Sequence, residues 1–261
     1  MRVAILTSLE RGFPSLAIDA LVRGGIEIAV VVRAEAGVAT RRARLRQVLR
    51  KVRRIGLLGA INGLRMRRWY GADVEAVLPT EPVAELCARL RIALRTVRAV
   101  NDPEVAAALA ASGASLGLSL GNAWIAPPTF ESLAEGFVNV HHELLPERRG
   151  AQAVIWSLFE GRRTTGYTIH RVDRAIDGGA IVERVERPIL FRGSLRETVA
   201  ATYADLLSHS AARLSDVCAR WSELSGAATP QGPGRRRTTP TWAEFRKIRA
   251  EWVRLAHGAA P

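Results

Sequence analysis

The stretch "RVAILTSLERGFPSLAIDALVRGGIEIAVVV", Arg2 to Val32, decides the fold. "RVAIL" is a short apolar run, Pro14–Arg23 has helical spacing, Gly24-Gly25 stops that helix, and "IEIAVVV" is a second apolar run. Strand, helix, strand is the grammar of a parallel crossover unit. The chain continues in the same alternation. Thr80 is placed to cap a helix through Leu90, and "IALRTV" is another strand. "NDPEVAAALAASG" has Asp102 as N-cap, Pro103 in the first turn and Gly113 as the stop, and "SLGLSL" and "GFVNV" follow as strands. The pattern predicts an α/β fold with an open, mostly parallel, Rossmann-like sheet and helices on both faces. Ligands of such sheets sit beyond the carboxyl ends of the strands, where His141 falls directly after Asn139-Val140.

Downstream, "RGAQAVIWSLFEG" reads as a helix, and "TTGYTIHRV" and "GAIVERVERPI" as strands. Ser194 to Glu197 has the form of a capping box opening a long helix, whose apolar positions 195, 199, 203, 206, 207, 214, 217 and 221 keep core spacing. Residues 225–240, rich in Gly, Pro, Thr and Arg, read as a linker before a last helix from about Trp242 to Leu255. The expected division is a catalytic domain over 1–190, with an inserted basic arm at 41–70, and a short helical extension over 191–261. There is no internal repeat, and "TSLERGFPS" in the first turn lacks a GxGxxG phosphate fingerprint.

A chain of 261 residues, 48% apolar and 24% charged, has the composition of an ordinary soluble globule. Two cysteines, Cys87 and Cys218, offer neither a disulfide framework nor metal-binding spacing, so a reducing cytoplasm is the expected location. The N-terminal apolar run is too short for a signal h-region, and no run approaches the ~20 apolar residues of a membrane span. The net charge of +13 is local: Arg41 to Arg68 holds eleven Arg/Lys and no acid, which leaves 27 basic against 25 acidic residues elsewhere.

Three polar residues near the strand ends are candidates for chemistry: Asn139, His141, and Asp177 in "VDRAIDGGAIV", where Asp-Gly-Gly forms a turn that lets a carboxylate point inward. With no Ser or Cys nucleophile beside them, they suit general acid–base and oxyanion chemistry in which the substrate supplies the nucleophile. Taken singly, each is also an ordinary capping or turn residue. His142-Glu143 does not open an HExxH motif, since Pro146 stands where the second histidine would, so no metal is expected.

In order along the chain, Asn139-Val-His141, "LLPERRGA", "WSLFEG", "TTGYTIH" and "DRAIDGGAIV" resemble the N10-formyltetrahydrofolate-dependent formyltransferase family, including sugar N-formyltransferases and the catalytic domain of methionyl-tRNA formyltransferase. "NDPEV" upstream and "RRTTPTWAEF" downstream are similar to further family segments. The resemblance implies the formyltransferase fold and transfer of a formyl group from N10-formyltetrahydrofolate to a primary amine. It assigns catalysis to Asn139, His141 and Asp177. The folate would meet Ala123, Trp124, Ile125 and Asp173, with Leu145, Pro146, Arg149 and Gly150 shaping the wall between the two substrates. His142 and Glu143 depart from the common pattern and are expected to help select the amine. The first turn lacks the Gly/Asn/Ser phosphate loop of glycinamide ribonucleotide transformylases, and only some 70 residues follow Pro188, against the further barrel-like domain of methionyl-tRNA formyltransferases. An amino sugar on a nucleotide is therefore the leading acceptor. The alternatives are a hydroxyornithine-type amine, a formyltetrahydrofolate hydrolase, and a non-catalytic module that binds surfaces through the basic arm.

The arm places Leu45, Val48, Leu49, Val52, Ile55 and Leu58 on one helical stripe among arginines, and Gly56, Gly59 and Gly63 favour a helix–turn–helix over one straight rod. Three readings stand: an arm packed on the domain or on a partner subunit, a peripheral contact of residues 41–68 with an anionic membrane, and a contact with phosphates of a nucleotide or nucleic acid. Nucleic acid is the least favoured partner, because the rest of the chain is almost neutral. The final helices could serve a homodimer.

Overall fold

The computed structural model describes residues 1–35 and 41–258, with side chains from 45 onward within the second of these ranges. The side chains of 41–44 in the arm, and residues 36–40 and 259–261 of the expected domains, lie outside the described set. In chain order, β1 (Arg2–Thr7), α1 (Phe13–Arg23) and β2 (Glu27–Ala34) precede the arm helix α2 (Arg41–Tyr70). Next come α3 (Ala72–Val77), α4 (Val83–Leu90), β3 (Leu94–Val97), α5 (Pro103–Ala110), β4 (Leu116–Leu120), α6 (Pro127–Phe130) and β5 (Phe137–His141). β6 (Arg148–Gly150), α7 (Ile155–Phe159), β7 (Thr164–Arg171) and β8 (Ile181–Pro188) follow. The chain then runs through α8 (Leu195–Ala219), α9 (Trp221–Leu224), β9 (Arg235–Arg237) and α10 (Trp242–His257).

Seven strands form one sheet in the order β3-β2-β1-β4-β5-β7-β8, parallel as far as β5 and antiparallel for β7 and β8. This is the open, mostly parallel α/β sheet that the sequence pattern predicts. One face is covered by α1 and α8, whose Ile18, Leu21, Val199, Leu206 and Leu214 pack with Ile5, Leu118 and Ile169 of the strands. The other face packs Val105, Leu109, Phe130 and Phe137 around Leu6 and Val32. Each such side chain removed from water stabilises the fold by about 1.5–3 kcal/mol. The predicted stripe of the long helix is core at Leu195, Val199, Leu206, Leu207, Leu214 and Val217, and Trp221 in α9 extends it.

Four local readings change. Thr80 does not cap a helix; its hydroxyl accepts from Gly12 N–H at 2.9 Å and donates to Glu75, and α4 starts after Pro82. The helix expected from "RGAQAVIWSLFEG" shrinks to five residues, because Arg148–Gly150 extends into a strand and Gln152 and Val154 take positive φ of 75° and 74°. Ser194 accepts from Glu197 N–H at 3.2 Å, half of the expected box, whereas Thr241 and Glu244 at the head of α10 form a complete one. The linker 225–240 contains β9, which pairs in parallel with β6 at Arg148↔Arg235 to Gly150↔Arg237. The arm helix breaks at Gly56, where φ 73° and ψ 165° are open only to glycine, as the glycine spacing anticipates. The break splits the apolar stripe: Ile55 is buried, while Leu45, Val48, Leu49 and Leu58 stay exposed.

Candidate active site

The site grows from the carboxyl end of β5. Asn139 and His141 are two residues apart on a strand and so share a face. The antiparallel register sets Asn139 opposite His170 and His141 opposite Thr168. His170 is therefore a cross-strand neighbour of Asn139, with Nε2 3.1 Å from Asn139 Nδ2. The Nδ1 of His170 lies 2.8 Å from the Arg171 carbonyl, which only accepts, so Nδ1 carries the proton and Nε2 accepts from the Asn139 amide. Burial pushes the His170 pKa down to about 4, which keeps this acceptor neutral. Sequence reasoning missed His170. Its signal was present in "TTGYTIH", but it emerges only when that strand is paired to β5.

Asp177 closes the triangle from the β7–β8 loop. It adopts φ 51°, an unusual conformation for a non-glycine residue, and its Oδ2 accepts from Gly150 N–H at 2.9 Å. Its Oδ1 lies 3.9 Å from His141 Nδ1 and 4.0 Å from His170 Nε2. The opposite nitrogen of His141, Nε2, is 2.8 Å from the Arg148 carbonyl oxygen. An ionic chain, half-exposed only at Glu160, runs beneath: Arg148 meets Glu143 at 3.1 Å and Glu160 at 2.8 Å, and Glu160 meets Arg237 at 3.1 Å. The Glu143 carboxyl also accepts from Val154 N–H at 2.9 Å. Burial pushes its pKa up, against the pull of Arg148 and His141.

These groups open onto a cavity of about 630 Å³. One cluster of its wall is made by Gly121–Ile125 and Val172–Asp177, and Trp124 Nε1 donates to the Arg174 carbonyl across them at 3.4 Å. Asn122 fixes the first segment by donating to the Leu6 carbonyl at 2.6 Å. The Asn101 side-chain amide donates to the Trp124 carbonyl and accepts from Ala126 N–H, so those two backbone groups are already engaged. Asp173 accepts from Ala175 N–H and shapes its own loop. The second cluster is aromatic: His142 stands edge-on between Phe13 and Tyr203, and Tyr203 meets Tyr70 at 5.3 Å, with Arg67 beside them. Burial lowers the His142 pKa to about 3 and raises that of Tyr203 to about 12, so both rings are uncharged.

Of the residues expected at the site, Asn139, His141, Asp177, Ala123, Trp124, Ile125, Gly150, Asp173, His142 and Glu143 all border this cavity. Three do not. Leu145 is fully buried with its N–H on Thr168, Pro146 is half-buried away from the cavity lining, and Arg149 reaches Gln231 and the Gly232 carbonyl. Glu143 reaches the wall, but both its oxygens are held by Arg148 and Val154. Among the described residues, no group of three or more His, Cys, Asp or Glu is placed to hold a metal ion, and no helix is long and apolar enough to cross a membrane.

The open, mostly parallel sheet thus gathers an amide, an imidazole and a carboxylate at the carboxyl end of a strand, an arrangement of α/β folds suited to acid–base and oxyanion chemistry. The chain belongs to the formyl transferase family, whose sequence profile matches residues 1–210. It is 33% identical over 138 residues to a methionyl-tRNA formyltransferase of Clavibacter sepedonicus, covering 51% of this chain and 45% of that one. A methionyl-tRNA formyltransferase of Corynebacterium urealyticum is 29% identical over 188 residues, covering 68% of this chain and 54% of that protein. The matched stretches thus span about half the length of these relatives. In fold, the chain is similar to the N-formyltransferase of Helicobacter canadensis in complex with folinic acid and dTDP-3-aminofucose (TM-score 0.59, 12% identity, 97% of this chain and 81% of that one). It is also similar to glycinamide ribonucleotide transformylase 1 of Symbiobacterium toebii (TM-score 0.58, 18% identity, 90% and 92% covered).

Proposed function

We propose that this protein transfers a formyl group from N10-formyltetrahydrofolate to the primary amine of a small molecule, with an amino sugar borne on a nucleotide as the acceptor class. The observation that carries the reading is the convergence of Asn139, His141 and Asp177 on one cavity with two unlike wall clusters. The cluster of Gly121–Ile125 and Val172–Asp177 suits a flat heteroaromatic group: Trp124 and Ile176 stand 48% and 47% exposed beside it, with apolar surface to offer. The folate supplies an electrophilic formyl carbon. Asn139 gives one amide hydrogen to His170 and has a second for the formyl oxygen, where negative charge develops. His141 Nδ1 accepts the proton that the attacking amine sheds as the new C–N bond forms, and Asp177 stabilises the resulting imidazolium; that proton then passes to N10 as the C–N10 bond breaks, leaving tetrahydrofolate and the N-formyl amine.

The aromatic cluster with Arg67 favours the nucleotide-linked amine, since rings can stack on a base or sugar and a guanidinium matches phosphate. The Helicobacter canadensis N-formyltransferase, similar to this chain in fold, was crystallised with such a sugar nucleotide. The test is turnover of formylfolate by the purified protein against a panel of amino-sugar nucleotides and small diamines, hydroxyornithine included. Amine-dependent loss of formylfolate supports the proposal. Release of formate without any amine would make the protein a hydrolase, and no thermal shift with a stable formylfolate analogue would leave it a non-catalytic module.

A further inference from the structure

Residues 45–64 turn outward what a protein surface ordinarily keeps inside. Beyond the break at Gly56, Met66 and Trp69 of α2 pack into the core, while Leu57, Ile61 and Leu64, at helical spacing on the opposite side, are 63%, 55% and 58% exposed. Before the break, Leu45, Val48 and Leu49 are exposed as well. Seven of the fifteen exposed large apolar side chains among the described residues fall in this one segment, so the exposure is concentrated there. Around it, Arg41 to Arg68 carries eleven Arg/Lys and no Asp or Glu.

The occupant of this surface must offer an apolar layer and negative charge together. A second copy of the chain would bring a second set of like charges against the first. A nucleic acid offers phosphates, but it gives aliphatic side chains such as Leu57 and Ile61 no apolar layer, and it favours aromatic partners instead. An anionic bilayer supplies both. We propose that residues 45–64 dock this protein on an anionic lipid surface, the leucines, Val48 and Ile61 entering the acyl boundary while the arginines meet headgroups. The same helix reaches the cavity three residues past Leu64, through Arg67, a rise of about 5 Å along its axis. A docked arm therefore sets the wall of the second cluster close to the headgroup layer. The docking holds whichever amine the cavity takes.

The experiment is flotation of the full chain with vesicles of phosphatidylcholine containing about a quarter phosphatidylglycerol, alongside pure phosphatidylcholine. The expected result is association with the anionic vesicles only, weakened at high salt. A variant carrying Leu57→Ser, Ile61→Ser and Leu64→Ser should bind at least about tenfold more weakly. Those side chains face solvent, so its circular dichroism and melting temperature should match the parent. Failure of the full chain to float with anionic vesicles would overturn the proposal, as would unchanged binding by the triple variant. Two further outcomes also defeat it: a solution dimer that the triple variant converts to monomer, and RNA binding that the same variant abolishes.

Discussion

His141 Nε2–H donates a hydrogen bond to the Arg148 carbonyl oxygen 2.8 Å away, and so presents an unprotonated Nδ1 to Asp177 Oδ1 at 3.9 Å. The tautomer is set by backbone, and Asp177 is held in turn by Gly150 N–H on its other oxygen. Asp177→Asn keeps an acceptor for that N–H and removes only the charge facing Nδ1. If formyl transfer is the reaction, kcat should fall about 100- to 10,000-fold with little change in KM for formylfolate. Steady-state kinetics on a variant with native circular dichroism checks this; a raised KM at unchanged kcat would assign Asp177 to binding alone.

Asn139→Ala tests the other side of the carbonyl. Losing one oxyanion donor should lower kcat about 100- to 1000-fold. His170→Ala should also lower kcat, by less, because it frees the amide of Asn139 without removing it. The ordering of the two losses is the measurement. A larger effect from His170 would mean that it acts on the substrate directly.

Acid should unfold this protein early. The folded-state pKa values of His142 and His170 are pushed down to about 3 and about 4 by burial, while an unfolded histidine titrates near 6.5. Between those values the unfolded chain binds more protons than the folded one, so stability is full above about pH 6.5 and is lost as pH falls. The slope should approach 1.4 kcal/mol per pH unit for each histidine. Melting temperature recorded from about pH 7 to pH 4 gives the slope directly, and His142→Phe should reduce it. An unchanged slope in that variant would exclude His142 as a contributor.

The sheet and the Asn139–His141 pair were legible in the sequence because both rest on local periodicity: alternation places the two side chains on one face, and the Asp-Gly-Gly turn locates Asp177. His170 was not legible, since its place depends on the β5–β7 register, a relation between segments some 30 residues apart. Nor was β9: "RRR" has no apolar alternation, and it is held by pairing with β6 and by Arg237 lying over the ring of Trp156 at 4.5 Å. Glu143 reads in the sequence as an amine-selecting residue beside His142, with nothing in its local pattern to pair it with an arginine. Only the fold shows that it is buried against Arg148.

That burial makes Arg148→Ala a stability test. The substitution leaves Glu143 buried without its cation, a loss of about 3–5 kcal/mol. For a chain of this size the melting temperature should fall by roughly 10 °C or more. Replacing both residues with apolar ones of similar volume, Glu143→Leu with Arg148→Met, should recover much of the loss. If the double variant melts no higher than Arg148→Ala, the pair is doing more than balancing charge.

Gln152 joins strain to an unmet hydrogen bond at the cavity wall. Its φ is 75°, and its Oε1 is buried with no partner among the described residues. A left-handed conformation costs a non-glycine residue about 1–2 kcal/mol, and an unpaired buried acceptor about as much again. Gln152 borders the cavity, so a change of side-chain rotamer that brings Oε1 to the cavity surface lets it accept an N–H of the incoming amine. Gln152→Gly removes both costs and adds back about 0.5–1 kcal/mol of chain entropy. It should therefore stabilise the protein by about 1–3 kcal/mol, raising the melting temperature by roughly 2–12 °C. The same variant should raise KM for the amine while leaving KM for formylfolate near its original value. Thermal melts and two-substrate kinetics on one preparation read both effects. A lower melting temperature would mean that the glutamine's conformation is supported by contacts stronger than its strain, and an unchanged amine KM would take Gln152 out of acceptor recognition.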